Sequence, residues 1–203
     1  MGPIDELLTD VAQGKRVKYL PFWGHRPRPD GRLGVRASLA DRAGAREPGT
    51  VRKGGPHCLS QWWPSPFTVD GVTYASAEHW MMAGKARLFG DTEAERAAVA
   101  ASSPAAAKKA GRLVRGFDED LWIRERFALV VEGSAHKFGQ DPELAGYLLS
   151  TGDRVLVEAS PLDRIWGIGL AADDERVERP REWQGLNLLG FALMEARERL
   201  RAV

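Results

Sequence analysis

Apolar residues recur along this chain at two spacings, and the switches between them mark its elements. Ile4, Leu7, Leu8 and Val11 fall at helical spacing and predict a short amphipathic helix over residues 4–13. Val17-Lys-Tyr-Leu-Pro-Phe-Trp23 reads as a strand broken by proline, and the Pro- and Gly-rich segment 24–31 reads as a loop. From Arg32 to Pro56 periodicity disappears into Arg, Gly and Ala, which predicts a flexible insertion and not a domain. Leu59–Phe67 reads as an extended segment. Val69–Tyr74 comes next as a hairpin turned at Asp70-Gly71.

Helical spacing dominates from Ser76 onward. Ser76 is a candidate N-cap for a helix running through Leu88. Thr92-Glu-Ala-Glu95 has the form of a capping box for a helix over 92–101. Pro104 opens a third helix, Ala105–Val114, ended by Gly116. The longest helix is predicted over Asp118–Phe138. Its apolar positions Leu121, Trp122, Phe127, Val131 and Phe138 keep to no single face, as expected at the centre of a bundle. Pro142–Thr151 is another helix, and Val155–Ala159 is a strand. Asp163–Leu170 is a glycine-marked turn. Leu186–Leu200 closes the chain as a helix, with Leu189, Leu193, Met194, Ala196 and Leu200 inward and Glu195, Arg197 and Glu198 outward. No internal repeat is visible.

Composition narrows the class. The 203 residues are 43% hydrophobic and 28% charged, enough for one good core. A net charge of +1 excludes the overall basic field of a general nucleic-acid binder. Basic residues concentrate instead in and beside the insertion, at Arg28, Arg32, Arg36, Arg42, Arg46, Arg52 and Lys53. A solvated loop or a nucleic-acid contact through 32–56 would each account for them. The single cysteine, Cys58, excludes an internal disulfide and a cysteine-based zinc site, and suits a reducing, cytoplasmic setting. The four histidines show no metal-ligand spacing, so neither a metal nor a cofactor is expected. No apolar run approaches a membrane span, and the acidic N-terminus lacks a signal-peptide pattern, so no membrane contact is expected.

Candidate chemistry starts on the Ser76 helix. Glu78 and Lys85 lie seven residues apart and project from one face, where a carboxylate and an amine can tune each other's protonation. Such a pair is also the ordinary make-up of a solvated helix face. Asp163 precedes Ile165-Trp-Gly-Ile-Gly169, whose glycines let the backbone approach a ligand or another segment. No Gly-x-Gly-x-x-Gly completes that motif, which rejects a dinucleotide fold. Asn187, within Trp183–Gly190, is an amide in apolar company and needs partners. Gln61 and Trp62-Trp63 before Pro64-Ser-Pro66 form a rigid aromatic loop. The seven tryptophans supply either core or stacking planes.

Taken together, these segments resemble the NADAR family, which includes the N-glycosidases of riboflavin-biosynthesis intermediates. The resemblance runs in order through Phe22-Trp-Gly-His25, Leu59–Phe67, Ala77–Ala86, Pro104 with Gly111-Arg112, Trp122, Lys137-Phe138, Asp163–Gly169 and Trp183-x-Gly-x-Asn-x-Leu-Gly190. The Arg/Gly-rich stretch 32–56 departs from it, being longer than the usual link. The resemblance implies an α+β, predominantly α-helical, compact single domain with a few short strands over 17–203, preceded by a helical extension over 1–16. It implies hydrolysis of a C1′–N bond, with Glu78, Trp122 and Asp163 as a functional trio and Lys85 as the amine that attacks the sugar. Trp23, Gly24, Gln61, Trp62, Trp166, Gly167, Asn187 and Arg112 are the candidate substrate-binding positions. Arg126 and Lys137 join Arg112 as candidate phosphate contacts.

The residue chemistry fits such a reaction. Breaking an N-glycosidic bond builds positive charge on the sugar carbon and negative charge on the departing nitrogen, and carboxyl groups can answer both. Glu78 would handle protons on the sugar side, Lys85 would attack or orient, Asp163 would hold a ribose hydroxyl or act as a second acid/base group, and Trp122 or Trp166 would stack on the heterocycle. Expected substrates are a small phosphorylated ribosylamine, most directly an early pyrimidine intermediate of riboflavin synthesis, or an ADP-ribosylated guanine in nucleic acid. A non-catalytic ADP-ribose or nucleotide module is the third reading.

Overall fold

The computed structural model describes residues 2–24 and 54–202. The insertion expected over 32–56, except Gly54–Pro56, lies outside the described residues, as does His25. Among the described residues there are seven α-helices. They are α1 (Pro3–Ala12), α2 (Ala77–Leu88), α3 (Thr92–Val99), α4 (Pro104–Arg112), α5 (Glu119–Gly139), α6 (Pro142–Ser150) and α7 (Leu188–Arg201). Four short strands join them: β1 (Tyr19–Phe22), β2 (Phe67–Val69), β3 (Val72–Tyr74) and β4 (Val155–Glu158). The α+β, mainly helical architecture matches the expectation. No described helix is long and apolar enough to cross a membrane.

Local chemistry explains most boundaries. Asp70 (φ 49°) and Gly71 (φ 78°) both take positive φ, as a two-residue hairpin of this kind requires, and β2 pairs antiparallel with β3 across them. Asp118 and Asp141 cap α5 and α6 by accepting backbone N–H bonds. The capping box expected at Thr92 is corrected. Asp91 is the N-cap, accepting from Ala94 N at 3.1 Å, and Thr92 is already helical. Ser76 does stand at the N-cap of α2, but its hydroxyl bonds His79 Nδ1 at 2.7 Å and not the helix backbone.

Two cores meet at β4. β1 and β4 pair in parallel, from Tyr19 opposite Val155 to Phe22 opposite Glu158. The larger core gathers Phe22, Phe67, Tyr74, Trp80, Phe138, Leu148, Leu156 and Leu193. The smaller one gathers Leu7, Val155, Val157, Ile168, Leu170, Val177 and Phe191. Strand side chains alternate between faces, so Leu156 serves the first core while Val155 and Val157 serve the second. The N-terminal helix α1 is tied in through Leu7, with Ile4 and Val11 beside it. In α7 the outward expectation fails for Arg197. It is buried, and its guanidinium donates to Thr151 Oγ1 at 2.8 Å and Arg154 O at 3.0 Å. Four residues after Leu193, Arg197 lies on the helix's core-facing stripe, and its charge alone suggested otherwise.

Candidate active site

Helix α2 is buried nearly all round, from Ala77 to Gly84 and at Ala86, so it is the axis of the site and not a half-wet surface helix. Glycines let its neighbours close in. A Cβ at Gly84 would lie 2.5 Å from Leu129 Cδ1, one at Gly133 would run into the Trp80 ring, and one at Gly111 into Met82 Sδ. Trp80 Nε1 donates to Leu129 O at 2.8 Å across the α2–α5 contact. The first turn of α2 is fixed too: Glu78 N donates to Gln61 O at 3.0 Å. His79 spans Ser76 and Ala101 O (3.1 Å to Nε2), a structural role.

These contacts leave a cavity of about 240 Å³. Helix α2 supplies Glu78, Met81, Met82 and Lys85 to its wall; α4 supplies Lys108, Gly111 and Arg112; α5 supplies Trp122. Ser60, Gln61 and Trp62 before α2, and Glu158, Asp163, Trp166 and Leu189 from the C-terminal part of the chain, complete the lining. The structure thus brings together all four expected catalytic residues, Glu78, Lys85, Asp163 and Trp122. It also brings in Gln61, Trp62, Trp166 and Arg112 from the expected binding set.

The Glu78–Lys85 pairing is corrected. Two helical turns separate them by about 10 Å along the axis, and no salt bridge joins them among the described residues. Burial pushes the Glu78 carboxyl up to about 7, against the pull of Lys108, a hydrogen bond from the Trp62 side chain and the pull of Arg112. Its Oε1 is buried with no hydrogen-bond partner. Lys85 is held below its ordinary value by desolvation alone, with its Nζ 4.1 Å from the Phe117 ring centroid and 5.6 Å from that of Trp122. An amine in that setting is closer to its neutral, nucleophilic form.

Other expected residues sit elsewhere. Trp23 is exposed and, like Gly24, does not line the cavity. Lys137 is no phosphate contact. It is buried, its Nζ donates to Cys58 O at 2.5 Å and Ser60 O at 2.8 Å, and burial drives it down to about 8. It pins the loop that carries Gln61 and Trp62. Arg126 does not line the cavity; desolvation lowers its pKa against the pull of Glu119 and Asp163.

The backbones of the two glycine-marked segments approach each other. Asp163 Oδ1 accepts from Ile165 N (2.9 Å) and Trp166 N (2.8 Å). The carbonyls of Ile165, Trp166 and Gly167 accept N–H bonds from Leu188, Leu189 and Asn187, which occupies the first donors of α7. Gly167 and Asn187 are outside the cavity wall. Asn187 is fully buried in the left-handed conformation (φ 52°). Its Oδ1 accepts from Glu158 N and its Nδ2 donates to Leu156 O, both at 2.9 Å.

Sequence reasoning missed two lining residues with charge. Lys108 stands one turn before Arg112 on α4, and that i, i+4 spacing was the available signal. Glu158 ends β4, two residues after Leu156 and so on the face toward the larger core. Burial and Asp163 push its carboxyl up to about 8, and its Oε2 is buried without a partner.

Comparison with known proteins places the chain in a family. The NADAR domain model matches residues 51–201. N-glycosidase R617 of Acanthamoeba polyphaga mimivirus is 44% identical over 149 residues, covering 71% of this chain and 88% of the relative. The riboflavin biosynthesis protein PYRR, chloroplastic, of Zea mays is 33% identical over 138 residues, 64% of this chain and 20% of that longer protein. The NMR structure of the Escherichia coli protein YbiA superposes with a TM-score of 0.60 at 28% identity, covering 76% of this chain and 83% of the other. The chain therefore belongs to the NADAR domain family and is an enzyme of its N-glycosidase class.

Proposed function

We propose that this chain hydrolyses the C1′–N bond of a phosphorylated ribosylamine, an early pyrimidine intermediate of riboflavin biosynthesis, and releases ribose 5-phosphate. The observation that carries the reading is the cavity's composition. Carboxyls (Glu78, Glu158, Asp163), an amine (Lys85), a cationic pair (Lys108, Arg112) and tryptophan rings (Trp62, Trp122, Trp166) share one wall. With Glu158 and part of Glu78 protonated at neutral pH, the charge balance of the wall tips positive, which favours a phosphate monoester. The riboflavin-biosynthesis name of the maize relative supports the substrate class.

In this reading Lys108 and Arg112 hold the phosphate and tryptophan planes flank the heterocycle. Lys85 Nζ bonds C1′ as the C1′–N electron pair leaves on the departing nitrogen, which takes up a proton. Water then replaces Lys85 at that carbon, losing its proton to Glu78. Purified protein mixed with the pyrimidine ribosylamine 5-phosphate should release ribose 5-phosphate. Glu78→Gln should lower kcat by about a hundredfold or more, and unchanged turnover would sink the role of Glu78. The Lys85 adduct opens to a Schiff base as the C1′–ring-oxygen bond breaks onto oxygen, which takes a proton from the Lys85 nitrogen, and borohydride should trap that sugar on Lys85 during turnover.

A second reading is removal of ADP-ribose from guanine in nucleic acid. The basic residues between Arg28 and Lys53 favour it, because a polymer adds phosphate contacts. ADP-ribosylated DNA as substrate separates the two: turnover there, without turnover of the small ribosylamine, selects the second.

A further inference from the structure

Glu158 is the one carboxyl of the cavity wall that neither the family resemblance nor the sequence brought forward. We propose that Glu158 is a catalytic residue, the acid that protonates the departing nitrogen, and that Asn187, Gly167 and Gly190 are the mount that positions it. The proposal rests on the N-glycosidase reading of the same cavity.

The other carboxyls are engaged in ways that leave this task open. Asp163 Oδ1 is occupied by the N–H groups of Ile165 and Trp166. Glu78 also has an unpartnered Oε1, but a hydrogen bond from Trp62 and the charges of Lys108 and Arg112 pull it toward the ionised form that takes the proton of water. Glu158 lines the same cavity from β4, and its Oε2 is buried with no hydrogen-bond partner. Such an orphan is costly in a folded protein unless a ligand or a proton-transfer role retains it. Burial first, and the Asp163 charge second, favour its protonated, donating form.

The backbone of Glu158 is held unusually tightly. Its N–H donates to Asn187 Oδ1 at 2.9 Å, and its carbonyl accepts from Ile168 N at 3.0 Å and Ser160 N at 2.9 Å. A Cβ at Gly167 would stand 2.8 Å from Glu158 O, and one at Gly190 would collide with Leu156 O. The two glycine-marked segments thus converge on one strand end and fix where its carboxyl can reach.

Atoms and electrons balance across the step. The C1′–N bond breaks with its electron pair on nitrogen, and that nitrogen takes the Glu158 proton and leaves as the neutral amine. The sugar carbon gains the Lys85 amine and then the oxygen of water, whose proton passes to Glu78. The proton thereby moves from Glu158 to Glu78 in each cycle, and exchange with solvent after product release restores both.

Two substrates separate proton donation from a structural effect. One is the ribosylamine 5-phosphate; the other is a ribosyl 5-phosphate carrying 4-nitrophenolate, which departs unprotonated. Glu158→Gln should lower kcat on the amine by about a hundredfold or more, leave KM within about twofold, remove the basic limb of the pH profile, and leave kcat on the nitrophenolate near wild type. Asn187→Ala should lower kcat on the amine less and displace that basic limb. Equal loss on both substrates in a folded Glu158→Gln protein, or loss on neither, overturns the proposal. Wild-type turnover is measured first. Turnover of ADP-ribosylated DNA alone overturns the small-substrate reading, and the Glu158→Gln rate and pH profile on that substrate then decide the role of Glu158. Turnover of none of the three substrates overturns both.

Discussion

At the scale of single residues, the site holds protons that an unfolded chain would release. Glu158 has an ordinary value of 4.5 and stands at about 8 in the fold. The folded state therefore keeps a proton that the unfolded state loses between those values, and stability falls as pH rises through that window. Replacing the carboxyl by an uncharged amide of the same shape removes the penalty. Glu158→Gln should match the wild-type stability near pH 4.5 and exceed it above pH 8, by on the order of 2–4 kcal/mol, with a correspondingly higher melting temperature. Thermal melts across pH test this; a gap that is constant with pH would refute it. Glu78, raised to about 7, should show the same sign over a narrower window. Lys137 illustrates a different lesson. Its charge suggested a surface contact, but it is buried against backbone carbonyls and works by shaping the loop before α2.

At the scale of elements, the helices were legible wherever caps and periodicity coincided. Pro104, Asp118 with the run after it, and Pro142 place α4, α5 and α6 within a residue or two. The hairpin turn at Asp70-Gly71 was legible because two positive-φ positions demand such residues. Arg197 and the capping box at Thr92 were misread because residue type was weighed above position. What no one-dimensional pattern carries is contact between elements. Gly84, Gly111 and Gly133 look like helix weaknesses in the sequence, yet they are the faces on which α2 packs. Gly133→Ala should therefore destabilise the protein by about 1–3 kcal/mol through overpacking against Trp80, despite the better helix propensity of alanine. Denaturant melts should show a lower midpoint with an unchanged slope; a stabilised variant would refute the packing argument.

At the scale of the whole molecule, the family resemblance identified the cavity's residues more completely than periodicity could. Glu78, Lys85, Trp122 and Asp163 come from a helix, another helix and a loop spread over most of the chain, and only the fold brings them to one wall. Glu158 escaped notice because its neighbours Val155, Leu156 and Val157 mark it as the end of a strand and nothing more. The segments Asp163–Gly169 and Trp183–Gly190, whose glycines allowed approach to either a ligand or another stretch of chain, spend their backbone groups on each other. Close approach was correctly inferred from the glycines; its object was another piece of chain.

β4, with one core on each face, ties chemistry to parts of the chain that never touch the cavity. Helix α1 packs through Leu7 into the core that takes Val155 and Val157, while Leu156 and Glu158 face the other way. A change that loosens α1 should be felt at the strand's far side as a loss of aim. Leu7→Ala should lower kcat on the ribosylamine several-fold and speed hydrogen exchange at the amides of Val155–Glu158 more than at those of α5. Uniformly faster exchange would mean that the molecule opens only as a whole. In evolutionary terms, a helix contributing nothing to substrate contact would still be under selection for turnover, because it forms the back wall against which the acid is held.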